Sequence, residues 1–347
     1  MPDGTAPGST VLIFRIGSLG DTVVALPCLH RIAQCYATSR RVLLTNVPVS
    51  TKAAPAQAVV GGVGLIDDYL AYPVGLRSPA GLWRLARQIR ALAPSALVYL
   101  MPTRSRLGLW RDLSFFKLCG VPSIVGAPLA EDLRRNRRDA GGLFESEGSR
   151  LARCLAPLGA IDLADRALWD LRLTADERAN ARRVCAALGG RPFLAINMGG
   201  KIAIKDWGVE RWQALLGELR AARPGFGLLV VGAPEDHARG ADAAARWGEG
   251  AVNACGALTP RESAAAMESA AAFVGHDSGP MHLAAAVGVR CVGLFGSHEP
   301  PALWHPIGVG HTAIHRMAGV ETIGVAEVRA AVLATLAQPE PVHAARC

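Results

Sequence analysis

The chain has 347 residues, half of them hydrophobic, which is long for a single domain and supplies apolar material for two cores. A formal net charge of +8 asks for a partner carrying phosphate or carboxylate, or for peripheral contact with an anionic membrane face. A nucleic-acid partner is argued against by the lack of a Lys-rich tail, an RNP-like aromatic strip or zinc-finger spacing, and the 5% aromatic share argues against sugar recognition on stacked rings.

Val11–Ile16 is a short apolar run and reads as the opening buried strand. A Gly-rich turn follows, then a predicted helix near Asp21–Tyr36 and a strand over Arg41–Thr45. Leu65–Leu70 and Ala96–Leu100 read as strands, with an amphipathic helix over Ser78–Leu92 between them. A helix over Arg106–Leu118 leads to a strand at Ser123–Val125. The polar segment Glu131–Ser149 reads as a mobile loop, and helices near Arg150–Leu158 and Ala175–Leu188 flank a linker around Ala160–Arg172. The pattern then restarts. Strands are predicted at Phe193–Asn197, Gly227–Val231, Ala272–Val274 and Cys291–Leu294. Between and after them come helices over Val209–Ala222, Glu235–Trp247, Met281–Ala286 and Val325–Leu336. Two βα series joined by a linker form the pattern of two Rossmann-like α/β domains, expected at 1–172 and 173–347, the second ending in a closing C-terminal helix. Ligands of such sheets bind beyond the carboxyl ends of the strands.

The eight cysteines (Cys28, Cys35, Cys119, Cys154, Cys185, Cys255, Cys291 and Cys347) make no C-x-x-C pair, as expected of a reduced cytosolic chain. Met1–Thr10 lacks the basic start and apolar run of a signal peptide. No stretch reaches the roughly 18 apolar residues of a membrane span. The expected location is the cytoplasm, with at most a peripheral contact at the inner membrane.

Four turns carry candidate chemistry. In Arg15-Ile16-Gly17-Ser18-Leu19-Gly20-Asp21 a strand ends, glycines permit a tight turn, and a carboxylate sits at a helix start. G-x-x-G is not the dinucleotide fingerprint, and no acidic residue ends the second strand. Asp21 is either a plain helix cap or a base placed to accept a proton from an attacking hydroxyl. In His276-Asp277-Ser278-Gly279-Pro280-Met281-His282 an apolar strand turns into an Ala-rich helix, with Pro280 suited to the first helical position. The Ser278 and Gly279 N–H groups then form a pyrophosphate seat at a helix N-terminus. The bland readings are a cap for Asp277 and a packed helix-face histidine for His282. No third ligand falls at zinc spacing and no G-x-S-x-G elbow is present, so neither a metal nor a serine nucleophile is expected. Lys205 in Lys205-Asp206-Trp207 suits a phosphate, or is a solvated loop cation. Glu235 and Asp236, in Gly232-Ala233-Pro234-Glu235-Asp236, either cap a helix or hold ribose hydroxyls.

These segments resemble glycosyltransferase family 9, the ADP-heptose:lipopolysaccharide heptosyltransferase group. The resemblance rests on Val11–Asp21 with Leu26-Pro27, on Lys205-Asp206-Trp207 with Arg211-Trp212, and on Asp277-Ser278-Gly279-Pro280-Met281-His282-Leu283-Ala284-Ala285-Ala286. Gly293-Leu294-Phe295-Gly296 followed by Trp304 completes it. It implies a GT-B fold, two Rossmann-like domains with a cleft between them, the first binding the acceptor and the second the nucleotide-sugar. It also implies an inverting, metal-independent transfer with no cofactor beyond the nucleotide-diphospho-sugar co-substrate. ADP-heptose is the commonest family donor, and its β-diphosphate would give an α linkage. By position, Asp21 resembles the catalytic base and Lys205 the donor-phosphate lysine. Asp277, Ser278, Gly279 and His282 resemble the donor loop, and Glu235 or Asp236 falls where the family holds the nucleoside. Asn197-Met198-Gly199-Gly200 departs from the Pro-Gly common there, which leaves a different sugar or base open. Gly17 and Ser18 face the acceptor on this reading. So does the cluster Arg134, Arg135, Arg137 and Arg138, whose charges are expected to lack helical partners and to meet an anionic glycan or glycolipid. The rivals are a GT-B nucleotide-sugar 2-epimerase, which would consume donor without acceptor, and a non-catalytic glycan-binding relic, which would lack the base.

Overall fold

A computed structural model of the chain describes residues 8–47, 54–200 and 202–339. The predicted βα alternation appears as two separate all-parallel sheets. In the first half, β1 (Thr10–Phe14) is followed by α1 (Leu19–Val24) and α2 (Leu26–Cys35), then by β2 (Arg40–Asn46), α3 (Gln57–Val60) and β3 (Asp68–Tyr72). After these come α4 (Pro79–Leu92), β4 (Pro94–Tyr99), α5 (Arg106–Leu118) and β5 (Ile124–Val125), then α6 (Glu131–Arg134) and α7 (Glu147–Cys154). The strand order is β3-β2-β1-β4-β5. Parallel strands need crossover helices on both faces, so the strands read as unbroken apolar runs. β1 accordingly buries Val11, Leu12, Ile13 and Phe14. One sheet face, through Leu12, Val42 and Leu97, packs on Leu85 and Ile89 of α4 and on Leu109 and Phe116 of α5.

The second half opens with α8 (Ala175–Val184), whose first turn is closed by a capping box between Thr174 and Glu177. Next in order are β6 (Phe193–Asn197), α9 (Val209–Ala222), β7 (Gly227–Val230), α10 (His237–Trp247), β8 (Ala251–Asn253) and α11 (Pro260–Met267). β9 (Ala272–His276), α12 (Gly279–Ala286), β10 (Cys291–Phe295), β11 (Thr312–His315) and α13 (Val325–Ala337) complete it. The strand order is β11-β10-β9-β6-β7-β8. Trp207 and Trp212, both fully buried and edge-to-face at 5.3 Å, anchor its core, into which α13 sends Val328 and Val332.

The chain divides into two compact units, Met1–Arg172 with Pro301–Trp304, and Leu173–Pro300 with His305–Cys347. The return of Pro301–Trp304 to the first unit is tied by Glu147 N–H donating to the Leu303 carbonyl at 3.1 Å.

Three expectations are corrected. The helix near Asp21–Tyr36 is two helices. Pro27 has no N–H to extend α1, and Ala25 closes α1 with its N–H on the Asp21 and Thr22 carbonyls. The strand expected at Leu65–Leu70 begins at Asp68, leaving Leu65 and Ile66 buried in the approach. Glu131–Ser149 is not one loop. It holds α6, an antiparallel bridge from Arg138 to Phe144, and the start of α7, capped by Ser146. The seven described cysteines are free, and five of them are buried; Cys347 lies outside the described residues.

Candidate active site

Each sheet has one place where consecutive crossovers leave in opposite directions. In the first unit it lies between β1 and β4, and in the second between β6 and β9. Parallel α/β sheets bind ligands outside the carboxyl ends of strands at such a point. The segments beyond these ends are Arg15–Asp21 in the first unit, and Met198–Lys205 and Asp277–Gly279 in the second.

In the first unit, Asp21 occupies the third position of α1. Its Oδ2 accepts from the Ser18 N–H at 2.7 Å and from the Ser18 hydroxyl at 2.9 Å. The cap reading is therefore realised through one oxygen, and Oδ1 has no hydrogen-bond partner among the described residues. The two readings of Asp21 are compatible, because a carboxylate can close the turn with one oxygen and take a proton on the other. Gly17 sits at φ +132°, and a Cβ there would lie 2.5 Å from the Asp21 Cβ. The turn thus needs glycine both for its backbone angle and for room.

Beneath this turn is a buried polar layer that the sequence reading missed. Arg15 is fully buried, and its guanidinium donates to the carbonyls of Asp21 and Leu100. Burial pushes it below the usual arginine range, against the opposing pull of Asp21 and Glu147. Arg150 and Glu147 form a buried bidentate pair at 2.6 and 2.7 Å, with Arg150 also donating to the Met101 and Leu133 carbonyls. The only signal for Arg15 was a cation ending an otherwise apolar strand.

In the second unit, Lys205 Nζ meets Asp277 Oδ2 at 2.6 Å, both side chains being mostly shielded from solvent. The solvated-cation reading of Lys205 is thereby set aside. Asp277 is also not the cap of α12; that position belongs to Ser278. The Ser278 hydroxyl makes no cap bond and donates instead to Asn197 Oδ1 at 3.0 Å, while Asn197 Nδ2 donates to the Val231 carbonyl at 2.8 Å. Asn197, a polar residue closing a buried strand, thus joins α12 to β6 and β7. Pro280 falls at the second helical position rather than the first, which leaves Gly279 to open α12. His282 is buried within α12.

The acidic pair at the end of β7 separates. Glu235 is exposed, whereas Asp236 turns inward, its Oδ2 accepting from the Ala233 N–H at 3.0 Å. A Cβ at Gly199 or Gly232 would lie 2.2 or 2.9 Å from the Asp236 carboxylate, so glycines at the ends of β6 and β7 make its berth. Asp206 pairs with Arg239 at 2.8 Å and is held low by that guanidinium against the cost of burial. His276 closes β9 fully buried. Its Nε2 accepts from the Trp207 N–H at 3.1 Å and the Trp212 indole N–H at 3.3 Å, which leaves the ring proton on Nδ1. Burial lowers it to about 4, opposed by Asp206 and the Gly199 carbonyl, so the imidazole is neutral and structural at pH 7.

The four clustered arginines do have local partners, contrary to expectation. Arg135 pairs with Glu131 at 3.0 Å, four positions back on α6, and Arg137 pairs with Asp132 at 2.8 Å. Arg134 donates to the Leu129 carbonyl, and Arg138 stacks 4.3 Å from the Phe144 ring centre. Exposed pairs of this kind are worth little, so Arg135 and Arg137 can exchange them for a better anion.

The sequence pattern of glycosyltransferase family 9 (heptosyltransferase) matches residues 150–320, which include Lys205, Asp236 and the whole Asp277–His282 turn. Over residues 150–320 the chain is similar to glycosyltransferase family 9. No curated protein matches this chain significantly. Among solved structures, it is similar over 96% of its length to 99% of a family 9 glycosyl transferase from Veillonella parvula, at 18% identity and a TM-score of 0.71. It is similar over 94% of its length to 98% of E. coli ADP-heptose lps heptosyltransferase II, at 15% identity and a TM-score of 0.65. Over the same share it is similar to 99% of E. coli heptosyltransferase WaaC with ADP, at 16% identity and a TM-score of 0.64. At these identities the likeness establishes the fold, two Rossmann-like sheets of the GT-B class.

Proposed function

We propose that this glycosyltransferase moves a heptose from ADP-heptose onto an anionic cell-envelope glycan of the lipopolysaccharide-core kind, with inversion and without a metal. The observation that carries the reading is the convergence of Lys205, Asp277 and Ser278 at the β6/β9 switch point, within the residues that match this family. The second unit holds the donor. Its diphosphate meets the first turn of α12 and the Lys205 ammonium, a fixed positive environment for the charge that grows on the leaving group. Asp236 holds the ribose, because it is the acid turned toward the ends of β6 and β7. The first unit holds the acceptor on Gly17, Ser18 and the Arg134–Arg138 cluster.

The Asp21 carboxylate takes the proton from an acceptor hydroxyl. That oxygen attacks the anomeric carbon on the face opposite the diphosphate, and the bond from that carbon to the diphosphate oxygen breaks. A nucleoside diphosphate leaves, and a β-linked donor gives an α-linked product. The choice of heptose draws on the ADP-heptose enzymes among the structural neighbours.

The test is a thermal-shift panel of ADP-, UDP-, GDP- and dTDP-sugars, followed by transfer assays in EDTA. A donor at 100 times its Kd stabilises the folded state by about 2.7 kcal/mol. ADP-heptose is expected to give the shift, and transfer to persist in EDTA with an α-linked product by NMR. Stabilisation by another nucleotide sugar instead, or donor consumption without acceptor, would replace this reading.

A further inference from the structure

Helix α5 is apolar on two faces. Leu109, Leu113 and Phe116 are buried against the first sheet. On the opposite side Leu107, Trp110 and Leu118 are 84%, 53% and 74% exposed, spaced 3 and 8 apart along one stripe. Helix α4 packs on the same sheet face and adds Trp83, 59% exposed, under which Arg87 stacks at 4.8 Å. Arg90 of α4 donates to the Leu118 carbonyl at 2.8 Å, so the C-terminal ends of the two helices lie side by side on that sheet face. Single exposed apolar residues need no explanation, but a row of large ones does.

The charge around this row is one-sided. Between Pro79 and Leu118 the sequence has seven Lys or Arg and one acid, which leaves +6 of a total of +8. That acid, Asp112, is buried, where it accepts from the Tyr99 hydroxyl at 2.9 Å and from Arg111 at 2.7 Å. The outward face is therefore cationic with Trp and Leu set into it, the composition of a surface that lies in an anionic lipid interface. Trp suits the headgroup boundary and Leu the acyl boundary, while long Arg stems reach to the phosphates. Aliphatic side chains as exposed as Leu107 and Leu118 have no use against a nucleic acid, whose own contact surface is charged. Among the described residues no helix is long and apolar enough to cross a membrane, so the contact is with its surface.

We propose that the outer face of α4 and α5, centred on Leu107, Trp110 and Leu118 of α5 and with Trp83 exposed on α4, docks this chain on a bilayer rich in anionic phospholipid. This reaches beyond the proposed chemistry and does not rest on it, because vesicle binding needs neither donor nor acceptor.

The experiment is co-sedimentation of the full chain with vesicles of phosphatidylcholine alone or mixed equally with phosphatidylglycerol. Mixed vesicles should bind at least tenfold more tightly, since each basic residue near such a surface gains several-fold in affinity. Binding should weaken as salt rises from roughly 0.1 to 1 M, as the Debye length falls from about 10 to 3 Å. The triple variant Leu107→Ser, Trp110→Ser and Leu118→Ser should lose at least about tenfold in vesicle affinity, because its apolar wedge is gone. The same variant should keep its melting temperature and its donor affinity. Equal binding of neutral vesicles, or wild-type vesicle binding by the triple variant, overturns the proposal. So does a concentration-dependent dimer that the triple variant turns into a monomer, since a second copy then covers this face. Loss of nucleotide-sugar binding in the wild type would bear on the proposed chemistry alone.

Discussion

Lys205 donates to Asp277 across 72 positions of sequence, Nζ to Oδ2 at 2.6 Å, beside the N-terminus of α12. The pair joins the end of the 3-10 turn Ala203–Lys205 to the end of β9, so the cation and the helix start are held together before any ligand arrives. Without Lys205, an incoming diphosphate would meet the Asp277 carboxylate with no cation between them.

Lys205→Ala should therefore raise the donor Kd by about 10- to 100-fold, since hydrogen bonds to charged groups contribute roughly 1.5–3 kcal/mol. Acceptor KM should hardly change. Calorimetry of the nucleotide sugar with the variant is the check, and an unchanged donor Kd would remove Lys205 from the donor site.

Gly17 is the tightest point of the first turn. Gly17→Ala puts a methyl where the Asp21 Cβ and carboxylate already lie, at a backbone angle that L residues rarely adopt. The expected cost is about 1–3 kcal/mol of stability, with a fall in kcat as Asp21 is displaced. Thermal unfolding and steady-state assays report the two effects separately. A variant with wild-type melting and turnover would mean that the turn tolerates a shift of Asp21.

His276 gives a pH signature. Its folded pKa, about 4, lies below the ordinary 6.5, so the unfolded chain binds more protons in between. Its contribution to stability is complete above pH 6.5 and is lost as pH falls from there toward 4. From pH 7.5 to 5 the loss should be about 2 kcal/mol, at 1.36 kcal/mol per pKa unit. His30, His305 and His315, also lowered by burial, act in the same direction. Urea unfolding across that range measures the slope; a flat profile would mean that His276 is charged in the fold or reached by solvent.

Much of this architecture was legible in the sequence, and the failures have physical causes. Strands such as Phe193–Asn197 stood out because parallel sheets bury both faces and leave an unbroken apolar run. β8 was overlooked because Ala-Val-Asn is three residues long. α11 was overlooked although Thr259 and Glu262 form a capping box, a signal present in the sequence and passed over. The site motifs could be named because glycine, proline and acid cluster where strands turn into helices. Their pairing could not, since nothing local ties Lys205 to Asp277 or Ser278 to Asn197. The arginine cluster was misjudged for a different reason: its partners Glu131 and Asp132 lie only four and five positions back, but the segment reads as a loop in sequence, and the short helix α6 that brings them alongside is not expected from it.

The cluster still offers a test of the acceptor. Arg134, Arg135, Arg137 and Arg138 replaced together by Gln should raise acceptor KM, leave donor affinity intact and flatten the salt dependence of activity. Activity against acceptor at low and high salt is the measurement. Unaltered KM at low salt would leave these arginines as a solvated surface held by their own acids.

The account turns on Asp21 as the base, and single-turnover transfer by Asp21→Asn tests it most directly. Asn keeps the size of the side chain and an oxygen to accept from Ser18, so the fold and donor affinity should survive while basicity is lost. The account predicts a fall in the transfer rate of about 10²–10⁴-fold with donor Kd unchanged. Transfer by a folded Asp21→Asn protein at close to the wild-type rate would contradict it.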